Sequence, residues 1–259
     1  MKTAVVTGAS GGIGLETARA LLADGWQVVC LSRHACPLEG VRSISCDITD
    51  RAQVQAAFAA VDRVDLLVNN AGFGISGAVE CTGEAEMRRQ FDLNFFAWVT
   101  VIQAALPALR ESRGRILNIS SAAAVFSIPF QSFYSATKAA VESLTCALRS
   151  ELAPFGITVG ALRLGDVKTG FTAARQKSGS RDDLYAGRIA RSVAVMERDE
   201  QNGMPPAAIA TAVVRAAHKK RLPPVTTVGI KYKLLCGLNK LLPLSAVTAL
   251  VAKIYIPEK

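Results

Sequence analysis

The chain has 259 residues, half of them hydrophobic, and a formal net charge of +9 from 30 Lys+Arg and 21 Asp+Glu. That length and composition allow one large buried core, so residues 1–259 are read as a single domain. The six cysteines are scattered with no C-x-x-C pair and the only histidines are His34 and His218, which argues against a zinc site and against a disulfide framework, and no metal is expected.

Met1-Lys2-Thr3 leads into the short apolar run Ala4-Val5-Val6, too short for the apolar region of a signal peptide. No run reaches the ~20 uninterrupted apolar residues of a spanning helix, and the expectation is a soluble, cytoplasmic protein. Short apolar runs then alternate with helical patterns. Strands are expected at 3–7, 27–32, 41–46, 65–69, 115–120 and 158–164, with helices at 13–23, 53–61, about 84–110 and about 131–153. Strands buried between helices mean βαβ units, so the predicted fold is α/β, a doubly wound parallel sheet in a three-layer sandwich. No G-x-S-x-G occurs, so a serine hydrolase has no nucleophile elbow to start from.

The first strand runs into Thr7-Gly8-Ala9-Ser10-Gly11-Gly12-Ile13-Gly14 and then a helix. Glycines let a backbone turn tightly and approach a pyrophosphate, while the free N–H groups at the helix start point at the anion. Gly8, Ser10, Gly12, Ile13 and Gly14 are therefore the candidate phosphate cradle, although their spacing is not G-x-G-x-x-G. The second strand ends Cys30-Leu31-Ser32-Arg33. At this place in dinucleotide folds a carboxylate accepts from the ribose 2′-hydroxyl of NAD, whereas an arginine pairs with the 2′-phosphate of NADP. Arg33 with no carboxylate beside it predicts NADP(H) over NAD(H).

In Phe133-Tyr134-Ser135-Ala136-Thr137-Lys138 a phenol and an ammonium stand four residues apart, on one face of a helix and one turn apart. A neighbouring cation lowers a tyrosine pKa from its usual value of about 10, which makes Tyr134 a candidate proton donor and acceptor for interconverting an alcohol and a carbonyl. Alone the pattern is weak, since a surface Tyr and Lys on an amphipathic helix give it too.

Tyr134-x-x-x-Lys138, the Thr7-Gly8-x-x-x-Gly12-x-Gly14 turn, Asn69-Asn70-Ala71-Gly72 and Ser121 stand in one order, and with them the chain resembles the short-chain dehydrogenase/reductase family over nearly all of residues 3–172. The resemblance implies a Rossmann-type fold, bound NAD or NADP, and hydride transfer to or from a carbonyl carbon. It implies that Tyr134 is the catalytic tyrosine, that Lys138 lowers its pKa and holds the nicotinamide ribose, and that Ser121 bonds the substrate oxygen. Asn94 would hold a water in the proton relay. Asp47, with Ile48, would contact the adenine, and Asn70, Ala71 and Gly72 would line the cofactor cleft. Leu164-Gly165-Asp166-Val167-Lys168-Thr169 resembles the family's Pro-Gly-x-Val-x-Thr segment, which places Val167 and Thr169 by the nicotinamide; Leu164 stands where the proline is, and a more mobile loop is expected.

Phe73, Val125, Phe126, Ile128, Phe130 and Phe171 are the candidate apolar wall for a hydrophobic small-molecule substrate. Residues 173–204 are polar and irregular in pattern and, by the resemblance, form a substrate lid. Pro205-Pro206 opens a helix to about residue 219, residues 225–229 read as an edge strand, and the 230–259 tail carries two apolar helical stretches broken at Pro243. Residues 1–172 hold 15 basic and 15 acidic residues and residues 173–259 hold 15 and 6, so the positive excess lies in the last third. A solvated surface, anionic substrates or an acidic membrane surface would use it; nucleic acid is not expected, because no stacking aromatics interleave the basic residues. The tail is expected to pack on the lid or on a partner subunit ahead of lying on a membrane surface. It looks like the tail of the subgroup similar to 17β-hydroxysteroid dehydrogenases, which implies a steroid-like or lipid-like substrate; a homodimer or homotetramer is expected. The alternative is a non-catalytic dinucleotide-binding sensor on the same fold.

Overall fold

The apolar runs of the sequence become interior strands. A computed structural model describes residues 1–179 and 181–256; residue 180 of the expected lid and residues 257–259 of the expected tail lie outside the described residues. In chain order the strands are β1 (Thr3–Thr7), β2 (Gln27–Ser32), β3 (Val41–Ser45), β4 (Leu66–Asn69), β5 (Ile75–Ser76), β6 (Arg115–Ser121), β7 (Thr158–Leu164), β8 (Gln176–Lys177) and β9 (Val225–Thr227). The helices are α1 (Gly12–Ala23), α2 (Arg51–Ala59), α3 (Glu84–Phe91), α4 (Ala97–Ser112), α5 (Ser132–Leu152), α6 (Phe171–Ala174), α7 (Arg188–Gln201), α8 (Pro206–His218), α9 (Ile230–Asn239) and α10 (Leu244–Tyr255). A parallel sheet in the order β3-β2-β1-β4-β6-β7-β9 carries helices on its faces, and β5 and β8 pair separately. Every residue of β1 and β4 is buried, as expected of strands covered on both sides. The strand order reverses between β1 and β4, which opens a crevice at their carboxyl ends.

The sequence boundaries move where side chains cap the ends. The Asp50 carboxylate accepts from the N–H groups of Ala52 (2.8 Å) and Gln53 (3.2 Å), so α2 starts two residues earlier than its apolar periodicity suggests. At the far end of α4, Arg113 takes a left-handed φ of 51° and the Gly114 N–H returns to the Leu109 carbonyl (3.0 Å). The single helix expected at about 84–110 is broken by a π-helical turn at Asp92–Phe96, which rotates Asn94 fully into the interior. The combined run Glu84–Ser112 is long and apolar enough to cross a membrane by length and composition, but Trp98, Val101, Ile102, Ala105 and Leu109 of α4 are buried in the core.

The 173–204 segment is more regular than its polar composition suggests. Ser192, Val193, Val195 and Met196 form a buried stripe on α7, hidden in the sequence among Arg188, Arg191 and Arg198. The tail breaks at Pro243 as expected, with α10 against α7 and Cys236, Val247 and Val251 buried.

Candidate active site

A cleft of about 950 Å³ lies over the carboxyl ends of β1, β2, β4, β6 and β7. Its floor begins at the glycine turn, where Gly8 (φ +69°) and Gly12 (φ +54°) adopt left-handed backbone that side chains disfavour. Gly8, Ser10, Gly12 and Ile13 line the cleft, and Gly14 does not. A Cβ on Gly14 would stand 2.3 Å from the Gly8 carbonyl oxygen, so its contribution is to let α1 close against the turn rather than to touch a ligand. Thr7 and Asn70 tie the next stretch to that turn: the Asn70 and Ala71 N–H groups donate to Thr7 Oγ1 (2.9 and 3.1 Å), and the Asn70 side chain donates to the Thr7 carbonyl (2.9 Å). Arg33, Asp47 and Ile48 form the far wall with Arg33 exposed. The Thr49 hydroxyl and N–H hold the Asp47 carboxyl below its usual range, with Arg33 contributing at longer distance. A glycine-rich cradle at a helix start, with an arginine at the β2 end, fits a dinucleotide bearing a ribose phosphate.

Ser121 ends β6 and Tyr134 sits in the first turn of α5, and the two hydroxyl-bearing side chains line the cleft together. Two buried polar chains fix that meeting. Asn69 donates to Asn118 (2.9 Å) and Asn118 to Thr145 (2.9 Å), linking β4, β6 and α5. Ser120 donates to Glu142 (2.8 Å), which also accepts from Arg163 Nε (2.9 Å) on β7. Lys138 is buried one turn beyond Tyr134; its ammonium donates to the Ile119 carbonyl (2.9 Å) and stands 4.5 Å from the Trp98 ring centroid. Burial brings its pKa down to about 7.

The expected lowering of the Tyr134 pKa by Lys138 is not what this arrangement produces. Burial pushes Tyr134 up to about 12, opposed by the Ser121 hydroxyl and, at longer range, by Arg175. The lysine is itself stripped of water, and its ammonium lies 5.6 Å from the Tyr134 ring centroid. Tyr134 is therefore a protonated phenol at neutral pH, suited to giving a proton.

Asn94, which the resemblance implies holds a relay water, is buried and is not among the residues that line the cleft. It lies behind the cleft wall, with Nδ2 donating to the Phe73 carbonyl (2.9 Å) and Oδ1 accepting the Phe73 N–H (3.1 Å). With Nδ2 also 3.4 Å from Thr137 Oγ1, the Asn94 amide ties the Phe73 backbone to α5 and holds the wall in place. Trp98, one turn further on, anchors the same wall by donating to the Ala71 carbonyl (2.8 Å). That indole was missed in the sequence, although its position four residues after Asn94 was a usable signal.

At the substrate end Phe73, Ile128 and Phe171 line the cleft, whereas Val125, Phe126 and Phe130 do not. The Phe130 ring instead packs edge-on against Tyr185, 5.6 Å between centroids. Gln131, Met196, Glu200 and Tyr255 complete the wall. Gln131 immediately precedes the Tyr134 helix; nothing local in the sequence marks Glu200 or Tyr255, which the fold brings in from α7 and α10. Thr172 donates to Glu200 (2.6 Å), and Arg175, whose side chain is wholly buried, pairs with the same carboxylate.

Val167 and Thr169 line the cleft wall. The loop that carries them is tied down without the proline: Met204 N–H donates to the Asp166 carbonyl and Lys168 N–H to the Met204 carbonyl, both at 2.9 Å. The Tyr232 ring packs on Gly165 and its hydroxyl bonds the Asp166 carboxylate.

The profile of the short chain dehydrogenase family matches residues 2–179. A 3-ketodihydrosphingosine reductase of Bacteroides thetaiotaomicron is 39% identical over 245 residues, 91% of each chain. The crystal structure of a short-chain dehydrogenase from Streptomyces avermitilis superposes with a TM-score of 0.83 at 33% identity, covering 97% of this chain and 95% of that one. A short chain dehydrogenase of Burkholderia cenocepacia in complex with NADP, at 24% identity and a TM-score of 0.76 over 99% and 100% of the two chains, shares the fold. A family profile spanning more than half the chain, joined by a relative alike over 91% of both chains, means that this protein belongs to the short-chain dehydrogenase/reductase family of NAD(P)-dependent oxidoreductases.

Proposed function

We propose that this enzyme uses NADP(H) to reduce a ketone on a long hydrophobic, lipid-like molecule to the secondary alcohol, with Tyr134 as proton donor. The observation that carries the reading is that the hydroxyl-bearing side chains of Ser121 and Tyr134 line the same cleft as the apolar side chains of Phe73, Ile128 and Phe171. A carbonyl oxygen set between those hydroxyls receives a hydrogen bond from Ser121 as negative charge develops on it, and a proton from Tyr134. Bound nicotinamide supplies the hydride. Lys138 holds the Ile119 carbonyl and the β6 end in register with Tyr134 and presents its amine to the cleft. Asn94 acts by positioning Phe73.

Arg33 supports NADP(H) over NAD(H), since its guanidinium matches a 2′-phosphate and β2 ends with no carboxylate to accept from a 2′-hydroxyl. The name of the Bacteroides relative describes a ketone on a long alkyl chain, which supports a lipid-like substrate ahead of a steroid-like one. The test is NADPH consumption with product identification across a panel of long-chain and cyclic ketones. Turnover that favours the long-chain members is expected; cofactor binding with no turnover across the panel would make the protein a dinucleotide sensor.

A further inference from the structure

The two tail helices turn opposite faces to different surroundings. Inward, Tyr232 covers Gly165, and Cys236, Val247 and Val251 are buried. Outward, Ile230, Leu234, Leu238, Leu241 and Leu244 make a continuous apolar stripe at helical spacing through α9 and the turn into α10, from 46% exposed at Leu238 to 82% at Leu241. Leu250 and Ile254 are two further exposed apolar side chains on α10. Large apolar side chains gathered this way mark a docking face rather than ordinary surface.

The charge around the stripe says what docks. Lys231, Lys233, Lys240 and Lys253 are all exposed on the same two helices. Residues 201–256 hold eight Lys+Arg and no Asp or Glu. A second copy seated on this face would set two acid-free lysine groups against each other, whereas a surface of lipid phosphates answers them. Neither helix, of 10 and 12 residues, is long enough to span a bilayer, so each would lie in the interface plane.

We propose that α9 and α10 form a docking face for an anionic lipid bilayer. Leucines buried at the boundary between headgroups and acyl chains, with lysines on the phosphates, hold the protein to the surface. Tyr255, at the end of α10, lines the catalytic cleft, so docking sets the mouth of the cleft beside the membrane. This inference rests on the tail's exposure and charge and stands apart from the identity of the substrate.

The test is sedimentation of the full chain with vesicles of roughly 70:30 phosphatidylcholine and phosphatidylserine, compared with pure phosphatidylcholine. Partitioning at least about tenfold stronger onto the anionic vesicles is expected, weakening as salt rises and the screening length falls from about 10 Å to about 3 Å. Leu234→Glu with Leu241→Glu, both at exposed positions, lowers binding by about tenfold or more while NADPH binding is unchanged. Absence of binding to anionic vesicles, or equal binding by the double variant, overturns the proposal. So does a wild type that ignores vesicles and sediments as a dimer which the double variant dissociates, an outcome that assigns the face to a second copy.

Discussion

Lys138 makes the stability of the ligand-free protein depend on pH in a direction opposite to that of an ordinary surface lysine. Burial lowers its pKa from 10.5 to about 7 in the folded chain, whereas the unfolded chain keeps the ordinary value. Between those two values the unfolded state binds a proton that the folded state does not, so stability rises with pH across the window. At about 1.4 kcal/mol per pKa unit the full effect is about 5 kcal/mol, of which about 2 to 3 kcal/mol falls between pH 7.5 and 9.5. Tyr134 acts with the opposite sign and higher up: its folded pKa of about 12 exceeds the ordinary tyrosine value of 10.0, so stability falls only above about pH 10. Urea unfolding of wild type and Lys138→Met at steps from about pH 7 to pH 9.5 separates the two groups. The wild type should gain stability relative to Lys138→Met as pH rises, with the variant the more stable of the two near pH 7. Parallel curves for the two proteins would refute the reasoning, because they would show that the lysine titrates as it does in water.

Three further outcomes follow from the site. Arg33→Asp should raise the KM for NADPH at least about tenfold more than that for NADH, in keeping with loss of a charge-assisted pair to the 2′-phosphate, and an unchanged ratio would remove the NADP(H) preference. Glu200→Gln strips the wholly buried Arg175 of its counter-charge, and since Nε and Nη1 of that arginine make no hydrogen bond among the described residues, a loss of about 3–5 kcal/mol in chemical denaturation is expected. Gly165→Ala drives a Cβ to within 1.8 Å of the Tyr232 ring and should cost about 1–3 kcal/mol, most of it recovered by the double variant Gly165→Ala with Tyr232→Ala; an additive double variant would contradict the contact.

What could be read in the sequence was what depends on neighbours along the chain. The sheet strands, the glycine turn at Gly8–Gly12 and the pairing of Tyr134 with Lys138 on one helical turn are local, and the structure brings Ser121, Tyr134 and Lys138 to one wall. Gly14 and Asn94 mark where local reading stops: both stand in recognisable motifs, yet neither lines the cleft, Gly14 leaving room for the Gly8 carbonyl and Asn94 bonding the Phe73 backbone and Thr137. The tyrosine's proton affinity was not legible either, because it follows from burial under Phe171 and from charges on α7 rather than from the lysine four residues on. α7 itself was obscured by arginines that flank a short apolar stripe, and Glu200 and Tyr255 reach the cleft only through the packing of α7 and α10.

The account rests on the Tyr134 hydroxyl as the group that protonates the substrate oxygen, and a single-turnover measurement tests it most directly. Tyr134→Phe, preloaded with NADPH and mixed with a ketone that the wild type reduces, should transfer hydride about 10²–10⁴-fold more slowly while its Kd for NADPH stays within about twofold. A rate within a few-fold of wild type would show that another group delivers the proton.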